Sequence, residues 1–212
     1  IVNLVKNKKI ISFIAYTSLV IGLLIILIIS VSTSINIFIL VAACCFLGYL
    51  YQGPPFRLGY QGLGEPLCWL AFGPFAYSAV LIALNPSNIY FEDIPWKVSL
   101  LLGSGPSLAT TLVLFCSHFH QISEDKKHGK NSPLVRLGAK KGSQFVPWII
   151  FTIYIFQLFT IVYGFIPVFC ILYLLSFPQA IRLINLLKSS YAKPSAIKNC
   201  KFIAIKFQTL NG

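Results

Sequence analysis

The run Val98-Ser-Leu-Leu-Leu-Gly-Ser-Gly-Pro-Ser-Leu-Ala-Thr-Thr-Leu-Val-Leu-Phe-Cys-Ser-His-Phe119, continuing as His120-Gln-Ile-Ser-Glu-Asp125-Lys-Lys-His-Gly-Lys130, decides the fold. From Val98 to Phe119 there is no Asp, Glu, Lys or Arg, and a stretch of about 20 such residues is what a helix needs to cross a bilayer. Beyond it, the chain's scarce polar chemistry is concentrated. Two of its 5 acidic residues, Glu124 and Asp125, and all 3 histidines, His118, His120 and His128, fall here. An apolar segment that delivers oxygen and nitrogen ligands to a basic loop reads as a membrane span ending at a site.

The rest of the chain repeats the apolar theme. It is 57% hydrophobic and 10% charged, against about 25% charged in soluble domains. The mean hydropathy is +0.79. This predicts an all-α integral membrane protein, because only structures that satisfy every backbone hydrogen bond internally can cross lipid. The apolar runs place six spans at about 10–30, 35–50, 66–84, 97–119, 144–163 and 165–187. Gly73-Pro74 predicts a kink in the third, and Gly164 to Pro167 a tight hairpin between the last two. A seventh apolar helix starts at about Lys201. The chain reads as one transmembrane domain over 1–212.

Six spans divide the connecting segments between two sides. The N-terminal segment, 51–65, 120–143 and 188–201 share one side and carry nearly all of the 17 Lys and Arg, with Lys97 the clear exception. Basic loops mark the cytoplasmic side or its organellar equivalent. Topology and anionic lipid headgroups therefore account for the net charge of +12 better than nucleic acid does. The six cysteines, with no Cys-x-x-Cys pair, read as small apolar side chains. The aromatics read as packing and interfacial anchors, with Trp96 and Trp148 at span ends, or as the lining of a tunnel for an isoprenoid.

If the fourth helix continues past Phe119, residues three and four apart share a face. Ser117, Gln121, Asp125 and His128 then form one stripe flanked by His118, and His120 and Glu124 form another. Asp125 and Glu124, with Gln121 as a neutral third, suit a hard cation such as Mg²⁺, which takes one or two carboxylates plus water and phosphate oxygens. Lys126, Lys127, Lys130 and Arg136 add positive charge fitted to phosphate. Spacing alone leaves open the alternative of a solvated helix end, and zinc is the weaker reading for want of a convincing third and fourth ligand. In 51–65, the glycines and Arg57, Tyr51, Tyr60 and Gln61 suit an anion, with an ordinary re-entry loop as the alternative. Glu65-Pro66 reads as the capped start of a helix, a structural role.

Three blocks carry a resemblance: Tyr51-Gln-Gly-Pro-Pro-Phe-Arg-Leu-Gly-Tyr60-Gln-Gly-Leu-Gly-Glu65-Pro, Phe115-Cys-Ser-His-Phe-His-Gln-Ile-Ser-Glu-Asp125-Lys-Lys-His-Gly-Lys130 and Ser132-Pro-Leu-Val-Arg136-Leu-Gly138. In order and spacing they resemble the naphthoate branch of the UbiA prenyltransferases, and within it the phytyl-transferring members of cyanobacteria and plastids. The resemblance implies a nine-helix bundle whose two aspartate-rich motifs hold Mg²⁺ and an isoprenoid diphosphate. Asp125 matches the last aspartate of the second motif. Gln121 stands in place of its first, His120 where the wider family often has Arg, and Glu124 is placed to compensate.

By this resemblance Asp125, Glu124 and Gln121 are the metal ligands. Arg57, Lys126, Lys130, Arg136, Gln121, His118 and His120 face the diphosphate. Tyr51 and Tyr60 serve catalysis by stabilising the cation or positioning the acceptor. The implied reaction joins phytyl diphosphate to a carboxylated naphthoquinone or naphthoate ring, releasing CO₂ and diphosphate, in a plastid or cyanobacterial membrane with the site on the stromal or cytoplasmic face. The absence of methionine and the apolar start at Lys201 predict a piece of a longer protein. The resemblance implies that the first aspartate motif precedes Ile1, so that the piece alone is inactive. Competing expectations are a prenyltransferase with another donor or acceptor, a small-molecule transporter and an assembly subunit. Against the transporter stands the scarcity of ionisable groups inside the spans.

Overall fold

The computed structural model describes residues 8–85 and 90–212. Residues 3–7 of the basic N-terminal approach and 86–89 of the loop before Trp96 lie outside the described residues. Among the described residues there is no strand. Six helical stretches are long and apolar enough to cross a membrane: Ile10–Ser32, Ile35–Gln52, Gly64–Leu84, Trp96–His118, Pro133–Val162 and Val168–Ser190. They match the six expected spans.

The first four helices are α1 (Lys8–Ser32), α2 (Ile35–Gln52), α3 (Gly64–Leu84) and α4 (Trp96–His118). A single polar turn suffices between α1 and α2 because the Ser34 hydroxyl accepts from the Asn36 N–H and caps α2. Within α3, Pro74 has no N–H to continue the ladder, and the helix widens to a π turn over Ala71–Phe75. This is the expected irregularity at Gly73-Pro74. The chain continues as the short α5 (Ile122–Lys127), α6 (Pro133–Val162), a 3₁₀ stretch Val168–Ser176, α7 (Phe177–Ser190) and α8 (Cys200–Asn211).

The expected basic loop 120–143 is largely helical. Its last part forms the start of α6, with Pro133 at the N-terminus, where a missing N–H costs nothing. At about 1.5 Å per residue, α6 would be about 45 Å long, more than a bilayer core, but Gly138 (φ 77, ψ 157) breaks it into an amphipathic entry and a membrane portion. Trp148, expected at a span end, therefore lies mid-helix with its ring exposed.

α4 is the centre. In lipid, helices associate through close packing and hydrogen bonds rather than the hydrophobic effect, and the sequence Gly103-Ser104-Gly105 gives α4 two close faces. A Cβ on Gly103 would stand 2.8 Å from the carbonyl carbon of Gly73, so α3 and α4 cross backbone to backbone. A Cβ on Gly105 would stand 2.9 Å from Cγ of Gln157, so α6 closes on the other side. Ser78 Oγ donates to Ser99 Oγ at 2.7 Å lower in the same α3–α4 contact. The larger apolar core joins α4, α6, α7 and α8, with Leu112, Ile153, Leu183 and Phe207 wholly buried. A smaller one, around Leu40 and Ile82, joins α2 and α3. In contrast, α1 exposes large apolar side chains on most of its circumference, as a lipid-facing helix does. All six cysteines are free thiols, and two donate to carbonyls: Cys44 to Ala71 and Cys200 to Cys116.

The basic segments meet at one end. The Asn131 N–H donates to the Tyr60 carbonyl at 2.7 Å, and Arg136 donates to the Gln61 carbonyl. Lys198 and Lys201 lie close enough to His120 to act on its charge. The expected common side for 51–65, 120–143 and 188–201 is what the packing produces.

Candidate active site

α4 does not run on through Asp125. It ends at His118, the Phe119 N–H folds back to the Cys116 carbonyl, and the Gln121 N–H to that of His118, before α5 begins. The expected two stripes of one continuous helix are thus replaced by a turn. On a straight helix, His118 and Asp125 would lie about 10 Å apart along the axis. The turn brings Asp125 Oδ2 to 3.2 Å from His118 Nδ1, although off-line for a hydrogen bond. Asp125 Oδ1 lies 3.5 Å from Lys130 Nζ, and Lys130 in turn reaches the same His118 nitrogen at 3.5 Å.

On the other side of His118 stands Glu65. Its Oε1 is 3.8 Å from His118 Nε2, its side chain is only 12% exposed, and neither oxygen has a hydrogen-bond partner. The purely structural reading of Glu65 is therefore incomplete. It does open α3, where the helix dipole favours a carboxylate, but it also faces the cluster. Glu65-Pro66 explained itself locally, and the residue that Glu65 faces, His118, is remote in sequence.

A polar pocket of about 360 Å³ opens above this cluster, lined by Gln52, Tyr60, Gln121, Glu124, Asp125, His128 and Lys130. The structure thus unites Asp125, Glu124, Gln121, Lys130 and Tyr60, and adds Gln52 and His128. It does not bring in the others. Arg57 is exposed in a left-handed conformation (φ 42), with its guanidinium 5.9 Å from the Tyr60 ring centre. Arg136 is spent on the Gln61 carbonyl, and Lys126 points outward. His118 is buried beneath Asp125 rather than at the pocket wall. His120 turns towards Lys198 and Lys201, and burial first, then these two cations, hold its pKa below the ordinary histidine value.

The glycines of 51–65 make room for tyrosines. A Cβ on Gly64 would stand 2.7 Å from the Tyr51 ring, and one on Gly59 2.9 Å from the Tyr51 carbonyl oxygen. Tyr51, wedged by these contacts, lines a second space rather than the polar pocket. That space is an apolar cavity of about 1110 Å³ between α1, α2, α3, α4 and α8, with Tyr51 and Ser117 at its polar end and Ile26, Ile29 and Ile37 at its far end. Ligand sites for drug-sized molecules occupy about 300–1,000 Å³, so this one suits a long apolar chain. Thr110 and Gln208 in its wall satisfy each other at 2.9 Å.

A polar pocket carrying two carboxylates and a lysine, in the same bundle as a long apolar cavity, suits a lipid with a charged headgroup, and comparison of the chain with known families agrees. The UbiA prenyltransferase family profile matches residues 4–205. The chain belongs to the UbiA prenyltransferase family. It is 36% identical over 213 residues, all of its length and 67% of the relative's, to a 2-carboxy-1,4-naphthoquinone phytyltransferase of Synechocystis sp.. It is 45% identical over 156 residues, 73% of its length and 41% of the relative's, to a chloroplastic 2-carboxy-1,4-naphthoquinone phytyltransferase of Arabidopsis thaliana. No solved structure matches the chain.

UbiA prenyltransferases generally use Mg²⁺. Among the described residues no group of three or more His, Cys, Asp or Glu is placed to hold a metal by itself. What this UbiA member offers is a pair of buried acids with unpartnered oxygens, Asp125 Oδ2 and both of Glu65, next to a pocket open to substrate. That donor set fits Mg²⁺ shared with phosphate oxygens, not a closed protein cage.

Proposed function

We propose that this protein transfers a phytyl group from phytyl diphosphate to a carboxylated naphthoquinone or naphthoate ring within the membrane. The observation that carries the reading is a polar pocket holding Asp125 and Lys130 in the same bundle as an apolar cavity of about 1110 Å³, whose polar end is formed by Tyr51 and by Ser117, the chain neighbour of His118. The two named relatives supply the donor and the acceptor. By the same reasoning it is a multi-pass protein of a plastid or cyanobacterial membrane, with its polar pocket on the stromal or cytoplasmic side, where the basic segments lie.

In this reading the diphosphate lies in the polar pocket and the isoprenoid in the apolar cavity. Asp125, with Glu65 behind it and Glu124 and Gln121 at the pocket wall, would hold Mg²⁺. Bound there, the ion neutralises charge that builds on the leaving diphosphate. Lys130, paired with Asp125 in this structure, lines the same pocket and turns its ammonium to the diphosphate. The allylic C–O bond breaks and its electron pair leaves with diphosphate. Tyr51, at the polar end of the apolar cavity, presents its ring to the resulting cation. The apolar walls below keep water from quenching it.

The acceptor enters beside Tyr51 and Tyr60. In its dihydroxynaphthoate form the ring is electron-rich at the carbon bearing the carboxylate. That carbon forms the new C–C bond, the C–CO₂⁻ bond returns its electron pair to the ring as CO₂ leaves, and the product departs at the quinol level. Membranes carrying the intact protein test the reading directly. With phytyl diphosphate, 1,4-dihydroxy-2-naphthoate and Mg²⁺ they should form prenylated quinol and release CO₂ in equal amounts, and EDTA should stop both. Transport of either substrate across sealed vesicles with no product would overturn it.

A further inference from the structure

Gly48 lies on the face of α2 that lines the apolar cavity, one helical turn below Tyr51. A Cβ built on it meets no atom within 4 Å. Glycine inside a helix costs about 0.5–1 kcal/mol relative to alanine, so it calls for a local reason. At Gly73, Gly103 and Gly105 the reason is close contact with a neighbouring helix. At Gly48 there is no such contact, and the freed space belongs to the cavity.

Position matters as much as space. Down the same face of α2 come Tyr51, Gly48, Cys44, Val41 and Ile37, with Ile37 at the far end. From Gly48 to Ile37 the helix descends about 16 Å, and from Tyr51 to Gly48 only about 4.5 Å. A chain entering at Tyr51 must therefore pass Gly48 before reaching most of the cavity. A donor of one isoprene unit ends near that level, whereas a phytyl chain extends far beyond it.

We infer that Gly48 is a specificity-determining position, the absence of a side chain there admitting a long branched isoprenoid into the deep part of the cavity. The inference rests on the assignment of the cavity to the donor chain. Leucine at this position would project into the passage from α2 without touching the polar pocket. It would leave the Asp125 cluster, and thus the chemistry, in place.

The test compares phytyl diphosphate with dimethylallyl diphosphate on the intact protein carrying Gly48→Ala or Gly48→Leu. The ratio of kcat/KM for phytyl over dimethylallyl donor should fall in the order Gly, Ala, Leu, by about ten-fold or more at Leu, while dimethylallyl transfer by Gly48→Leu stays within about three-fold of the parent. The thermal midpoint of each variant without ligand, expected to match or exceed that of the parent, confirms that folding is intact. An equal loss with both donors, or an unchanged ratio at Gly48→Leu, would overturn the inference and leave the prenyltransferase reading standing. Failure of the unsubstituted protein to use either donor would instead overturn that reading, and this inference with it.

Discussion

His118 Nδ1 and Asp125 Oδ2 lie 3.2 Å apart across a turn that interrupts what the sequence presents as one continuous helix. That contact orients the carboxylate. Lys130 takes the other oxygen of Asp125, so the aspartate is held from two sides, and Oδ2, buried against His118, has no hydrogen-bond partner. Replacing Asp125 with Ala should lower prenyl transfer by about 10²–10³-fold, the order seen when one preorganised electrostatic group is lost. Membrane insertion and detergent-extracted yield should not change, because the residue caps no helix and fills no core. Near-normal turnover in that variant would remove Asp125 from the site.

The backbone contact between Gly73 and Gly103 makes a second prediction about residue type. Gly103→Ala would drive a methyl into the α3 backbone, which cannot move aside as a side-chain tip can. The expected cost is about 1–3 kcal/mol, read as a lower thermal midpoint in detergent. Gly22→Ala in α1, where a Cβ meets nothing within 4 Å, should stay within about 0.5 kcal/mol. Equal effects of the two substitutions would contradict the close crossing.

Gln157 and Asn211 exchange side-chain hydrogen bonds at 2.7 and 3.1 Å between α6 and α8, and Asn211 also reaches Ser176 Oγ at 3.3 Å. In an apolar setting, removing one partner leaves the other without its hydrogen bond. Gln157→Leu should therefore destabilise the α6–α8 pair by about 0.6–2 kcal/mol. Faster proteolysis within α8 and a lower thermal midpoint would report it, and a midpoint above that of the parent would show that the network contributes nothing.

His120 provides a pH dependence. Its pKa in the folded protein lies below the ordinary value of 6.5, through burial first and then Lys201 and Lys198, with Asp125 opposing. The unfolded chain therefore takes up this proton at a higher pH than the folded one. The stabilisation is present above pH 6.5 and is lost as pH falls towards the folded value. Thermal midpoints measured from pH 7.5 to 5 should fall more steeply for the parent than for His120→Gln. Parallel curves would show that His120 titrates normally.

The sequence by itself determined the membrane class, the six spans, the side on which the basic segments gather and the family. Each of these rests on local composition or on short contiguous blocks. A run such as Val98 to Phe119 has no alternative to a helix in lipid, and its hydropathy needs no partner to be read. It also singled out Asp125, Glu124, Gln121, Lys130 and Tyr60, which the fold unites.

Tertiary structure decided the rest. It withdrew Arg57, Arg136 and Lys126 from the pocket wall, because a basic residue near a site in sequence can be spent on a carbonyl, stack on an aromatic ring or face solvent. It brought Glu65 to His118, a contact between two helices that no local pattern encodes. It converted the glycines Gly59 and Gly64 from a supposed anion cradle into room for Tyr51. It also left Gly48 open to the cavity while closing Gly103 against Gly73. A glycine is the same letter in all of these places, and only the neighbouring helix says whether its missing side chain makes space for a backbone, an aromatic ring or a substrate.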